Sequence, residues 1–295
     1  MLTLHALPAR LADLGGGLTV HRALPQRERR MVGPWCFLDH MGPVASVGDH
    51  ALNVAPHPHI GLQTVTWMVE GEVLHRDSLG NAQLIRPGQL SLMTAGRGIA
   101  HSEESQSTTG RLHGVQLWTA LPDAQRDVAP AFDHHPSLPV QSFGEVRATI
   151  LMGSLGGALS PAKSYSPIVG AELLATRDGK AELPLDPAFE HALLPLAGTA
   201  SIDGTTLVID TLYDLGQGRD RLGLDVSAGA RLMLIGGAPF GEAILMWWNF
   251  VARTHDEIAS ARADWESHRR FPPVPGYPGE RLTAPPLLGH LMPPA

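Results

Sequence analysis

Two short strings carry most of the chemistry this chain could perform, His57-Pro58-His59 and His101-Ser102-Glu103. Imidazole nitrogens and carboxylate oxygens hold first-row divalent metals, and three imidazoles with one carboxylate make an N3O donor set. Residues i and i+2 of a β-strand share one face, so each string, read as a strand, aims two donors into the same space. The 42 positions between His59 and His101 leave room for two or three strands, which lets the pairs meet across a barrel interior. Gly96 and Gly98 permit a tight turn just ahead of His101. Pro58 suits an edge strand or a bulge at a barrel mouth, because proline cannot donate to a ladder.

The elements that must position these donors are strands. Thirty-two glycines and 25 prolines punctuate short apolar runs, the pattern of an all-β protein with many turns. Gln63 to Val69 alternates bulky and polar residues, while Ser78-Leu79-Gly80-Asn81 and Arg86-Pro87-Gly88-Gln89 read as turns. One segment departs from this pattern. Thr254-His255-Asp256-Glu257 is a capping box, and Ile258, Ala261 and Trp265 recur at helical spacing. A helix is expected from about Thr254 to His268, stopped by Pro272 and Pro273, with the proline-rich remainder to Ala295 running extended over the surface.

An internal repeat emerges when Glu70-Gly71 is anchored on Ala197-Gly198. The strand Thr64 to Val69 then aligns with His191 to Leu196, and Pro184 and Asp186 fall opposite His57 and His59. His191 is the only histidine between Leu151 and Phe250, too few donors for a second site of the same kind. The expected division is a metal-binding barrel over residues 1–140 and a barrel without metal over 141–295, the latter carrying the helix and tail.

Composition narrows the partners. With 22 Lys and Arg against 29 Asp and Glu, the net charge is -7, and no basic stripe offers counterion release to nucleic acid. The longest apolar runs, such as Ala243 to Trp248, fall short of a membrane span, and the first residues lack the charged and apolar regions of a secretory signal. Cys36 is the only cysteine, which excludes an intrachain disulfide and thiolate zinc sites. A cytoplasmic setting is the expectation.

HPHIGLQTVTWMVEGEVLHRDSLG and RPGQLSLMTAGRGIAHSE resemble the metal-binding half of the pirins, members of the cupin superfamily. GPWCFLDHMGP, HGVQLWTALP and WWNFVART extend the resemblance over most of the chain. It implies an all-β bicupin, two face-to-face β-barrels with a C-terminal helix. One divalent transition metal would sit in the N-terminal barrel, held by His57, His59, His101 and Glu103. Fe(II) is the metal the resemblance favours, and Mn, Ni, Cu or Zn would also accept N3O donors. Gln63 stands where many cupins carry a glutamate ligand, which leaves Glu103 as the carboxylate candidate.

Some pirins resemble quercetin 2,3-dioxygenases, so a small aromatic substrate such as a flavonol is implied, with Glu103 also serving as the catalytic base. The rival reading is a co-regulator in which the metal's redox state biases a protein-binding surface, and a third is a metal that only stabilises the barrel. His75 and Asp77 either orient a ligand imidazole or face solvent on a hairpin. Gln116 lines the pocket or is an ordinary strand residue. Cys36, Met68, Met93 and Trp67 read as core, and Asp39-His40 as structural.

Overall fold

The computed structural model describes residues 4–14, 18–45, 52–106 and 110–293, so the last two residues of the proline-rich tail lie outside it. Strands dominate among the described residues, with one α-helix, His255–Glu266, after them. The chain forms two compact units, each assembled from separate stretches of sequence.

The unit bearing both histidine strings comprises 13–20, 41–134 and 241–295. One sheet runs in the order Asn53–His59, Ile99–Ser105, Val73–Asp77, Ala82–Ile85. Asn53–His59 is its edge strand, the place where Pro58 costs no ladder hydrogen bond. The strands Leu90–Thr94, Leu62–Glu70 and Arg111–Ala120 pair in that order in a second sheet. Leu62–Glu70 is buried along most of its length, so its apolar residues serve both faces. Gly80 and Gly88 take positive φ in the two expected turns, closed by Gly80 N–H to Asp77 O and Gln89 N–H to Arg86 O.

The other unit, 1–12, 21–40 and 135–240, repeats this plan. Its smaller sheet runs Gly179–Pro184, Arg221–Val226, Ala200–Ile202, Thr205–Thr206. In its larger sheet Glu190–Ala197 lies between Thr211–Gly216 and Arg231–Gly237, as Leu62–Glu70 lies between its neighbours. The repeat register therefore survives in three dimensions: His57 pairs with His101, whereas Pro184 pairs with Arg221. The interior here is apolar, filled by Leu173, Leu193, Leu232, Leu234 and their neighbours.

Two expectations need correction. Residues 241–295 were expected to travel with the second barrel, but they pack in the unit of His57 and His101. The reason is burial: Ile258, Ala261, Trp265 and Phe271 form one core cluster with Ile60 and Ala100, the neighbours of His59 and His101. The helix ends at Glu266, within two residues of the expected span, but a cap rather than the prolines closes it. Thr254 and Glu257 make the full capping box, but the C-terminus closes at Ser267. His268, at φ 56°, donates to Trp265 O while Arg269 N–H reaches Asp264 O, a Schellman motif. No helix among the described residues is long and apolar enough to cross a membrane.

Candidate metal centre

His57 and His59 stand two apart on the edge strand, and His101 lies directly across the ladder from His57. All three are buried, and one ligand atom from each lies within 4.8 Å of the others. His59 Nε2 and His101 Nε2 face each other at 3.0 Å. Burial pushes the His57 imidazolium down to about 4 and those of His59 and His101 well below the ordinary range, so all three rings are neutral near pH 7.

The outward hydrogen bonds decide which nitrogen of each ring carries the proton. His57 Nδ1 donates to Ala55 O at 2.9 Å, and His59 Nδ1 donates to Asn249 O at 3.0 Å. A neutral imidazole has one N–H, so both Nε2 atoms are bare lone pairs. His101 is set through a longer chain. The Asp77 carboxylate lies 3.3 Å from His75 Nε2, and His75 Nδ1 lies 3.3 Å from His101 Nδ1. Burial works to raise the Asp77 pKa, but hydrogen bonds from His75 and Asn81 outweigh it and hold the carboxyl below its usual range. An ionised Asp77 accepts a hydrogen bond from His75 Nε2–H, His75 Nδ1 then accepts from His101 Nδ1–H, and His101 Nε2 is bare as well.

Three lone pairs thus converge in a buried space, an arrangement that repels itself unless a cation sits among them. That donor chemistry fits a divalent transition metal. His59 is further braced by the Trp118 ring, edge-on at 5.1 Å, and His75 is stacked on Phe132 at 4.4 Å.

Glu103 lies two residues beyond His101 and is buried, but it stands outside the close group of the three imidazoles. Its carboxylate accepts long hydrogen bonds from Gln116 Nε2, at 3.3 and 3.5 Å, and Thr66 Oγ1 lies 3.5 Å away. Thr66 Oγ1 donates better to Gln116 Oε1, at 2.7 Å. Burial raises the Glu103 pKa against the lowering influence of His75, Gln116 and Thr66. The result is a loosely held buried carboxyl. A register irregularity falls between His101 and Glu103, beyond which Glu103 pairs with Val54 of the edge strand.

Sequence profiles for "Pirin" and for "Pirin C-terminal cupin domain" match residues 17–119 and 170–272. The chain is 53% identical over 285 residues to "Putative quercetin 2,3-dioxygenase PA1205" of Pseudomonas aeruginosa, covering 96% of this chain and 90% of that protein. The chain belongs to the pirin family. This pirin is also similar to a crystal structure of quercetin 2,3-dioxygenase from Acinetobacter baumannii, with a TM-score of 0.95, 46% identity, and 98% and 97% of the two chains covered. It shares its fold with a bacterial pirin from Escherichia coli in complex with nickel(II), at a TM-score of 0.65 and 18% identity over 80% of this chain and all of that one. The two-cupin architecture is thereby shown.

Within this pirin the geometry brings together His57, His59 and His101 as the spacing implies, and it resolves the alternatives for three other residues. His75 and Asp77 are buried rather than on a solvent-facing hairpin, and Gln116 reaches Glu103. Gln63 is turned elsewhere, donating to Thr94 Oγ1 at 2.9 Å. The carbonyls of Ala55 and Asn249 escaped the sequence reading, because a backbone acceptor has no residue-type signature. A cleft of about 340 Å³ lined by Arg97, Arg126, Asp256 and Arg270 lies on the helix side, and none of the three imidazoles lines it.

Proposed function

We propose that this pirin is a metal-dependent dioxygenase that opens flavonols such as quercetin, with His57, His59, His101 and Glu103 holding one divalent metal. The observation that carries this reading is the convergence of three bare imidazole nitrogens beside a buried, weakly tethered carboxyl. The names of the relatives from Pseudomonas and Acinetobacter support the substrate class. Fe(II) is the metal preferred on family resemblance, since the donor set itself also accepts Mn, Ni, Cu and Zn. A cytoplasmic setting fits a chain whose one cysteine, Cys36, is buried.

When bound, such a cation supplies a Lewis-acid position that makes a flavonol hydroxyl more acidic, and open positions for small molecules. The chain's own residues do the rest. Glu103 accepts the proton from the substrate hydroxyl, and burial, which raises its pKa, makes it a stronger base than an exposed carboxylate. Gln116 keeps the carboxyl within reach through bonds long enough to exchange for contacts to substrate or cation. Trp118 covers one side of His59 and excludes water there.

Oxygen uptake and loss of quercetin absorbance, measured under each candidate metal, test the proposal. Wild type is expected to turn over, His101→Ala to bind metal weakly and lose activity, and Glu103→Gln to lose activity. A metal-loaded wild type that consumes no oxygen with any flavonol overturns it.

A further inference from the structure

The strands Thr19–Leu24 and Trp35–Ala45 pair antiparallel, with His21 opposite His40 and Arg22 opposite Asp39. Successive residues face opposite sides of a sheet, so the two imidazoles share one face and the Arg22–Asp39 pair occupies the other. Arg22 grips Asp39 with two hydrogen bonds, at 2.9 and 2.8 Å, and covers the Phe37 ring at 4.5 Å. Its positive charge is engaged on that side and leaves the histidine face alone.

Asp210 completes the histidine face. Its Oδ1 lies 2.6 Å from His40 Nδ1 and its Oδ2 lies 3.2 Å from His21 Nδ1. One ligand atom from each of the three residues lies within 4.8 Å of the others, the same closeness found for His57, His59 and His101. Asp210 is held from both sides by its backbone: its N–H donates to Pro195 O at 3.2 Å and its carbonyl accepts from Ala9 N–H at 2.7 Å. It sits at φ 60°, a left-handed conformation that aspartate adopts more readily than most residues. A clamped carboxylate with two imidazoles across a ladder is a preorganised donor set.

We propose that His21, His40 and Asp210 form a second site for a divalent transition-metal cation, distinct from the His57–His59–His101 group and carried by the other compact unit. Two neutral imidazoles and one carboxylate are a recurrent ligand set for zinc and its neighbours, and their single negative charge offsets half of a dication's charge. Metal–ligand lengths of about 2.0–2.1 Å put tetrahedral donors roughly 3.3 Å apart. The Asp210–His21 spacing already matches this, and the His40 contact needs to open by roughly 0.7 Å on the same basis. His40 is 1% exposed, whereas His21 and Asp210 are 37% and 23% exposed. The cation would therefore rest on a buried imidazole and keep its remaining position toward solvent, as an exchangeable site does. These three residues are separate from Pro184 and Asp186, which stand at the places matching His57 and His59.

The test is zinc stoichiometry on the full-length, chelator-stripped protein, by equilibrium dialysis with metal analysis and by calorimetry. Wild type is expected to bind two equivalents and the His57→Ala, His59→Ala double variant one. Adding His21→Ala or Asp210→Asn to that double variant should weaken the remaining site at least tenfold. His21 is partly exposed and asparagine tolerates the left-handed backbone, and an unchanged circular dichroism spectrum establishes that each variant folds. Cobalt(II) bound to the double variant should give visible absorption that His21→Ala removes. One equivalent in wild type with none in the double variant overturns the proposal, as does binding that neither His21→Ala nor Asp210→Asn alters. Because the double variant lacks the first site, failure of the dioxygenase reading leaves this outcome untouched.

Discussion

At the residue scale the site is governed by proton placement. Asp77 stands opposite His101 across the ladder, and its carboxylate directs the proton on His75 and through it the tautomer of His101. Asp77→Asn removes the ionised acceptor and is expected to weaken metal binding about 10–100-fold, the usual effect of losing a ligand's orienting partner. Competition against a chromophoric chelator measures this, and an unchanged affinity would show that His101 needs no such partner. Burial also makes the site sensitive to pH. The unfolded imidazole has a pKa of 6.5 and the native His57 about 4. Between these values the unfolded chain binds the extra proton, so stability is complete above pH 6.5 and falls as pH drops toward 4. His57 alone accounts for about 2 kcal/mol between pH 7 and pH 5, and His59 and His101 act in the same direction. Urea unfolding of chelator-treated protein at both pH values checks this. Equal or higher stability at pH 5 would contradict it.

Elements translate those residues into geometry. The edge strand holds His57 and His59, its neighbour holds His101, and the C-terminal helix backs both through Ile60 and Ala100. Trp265 is the keystone of that packing: it stacks edge-on with Phe271, donates Nε1–H to Leu282 O at 2.8 Å and lies under the Arg281 guanidinium at 4.2 Å. Trp265→Ala should cost about 3–5 kcal/mol. It should also lower metal affinity, because Phe250 of the same cluster follows Asn249, whose carbonyl orients His59. Urea midpoints and metal titration report the two effects separately. Full stability in this variant would mean that the helix is an appendage. The strands, the turns and the capping box were legible in the sequence because period, turn chemistry and caps are local signals. The helix end was not: His268 takes the left-handed position that sequence rules reserve for glycine or asparagine.

For the whole molecule, the two-cupin plan means that ligand binding at the histidine group stabilises one unit in particular. Mass action gives about 2.7 kcal/mol at a metal concentration a hundredfold above Kd. Hydrogen exchange with and without metal should show the added protection in residues 53–59 and 99–105 and little in the apolar interior around Leu193 and Leu234. Uniform protection across both units would argue that they unfold as one. Residues 1–12 belong to the unit built mainly from the second half of the chain, and residues 241–295 to the unit built mainly from the first. Each cupin thus depends on a segment distant in sequence.

The sequence by itself determined the strand-rich fold, the repeat, and His57, His59 and His101 as one set of donors, since alternation and turn residues act over a few positions. Tertiary structure alone decided that Asn249 orients His59, that Asp77 and His75 set the proton on His101, and that Asp210 meets His21 and His40. Those contacts join residues up to 190 positions apart. A backbone carbonyl or a lone aspartate acquires its role only from the side chain that folding places beside it.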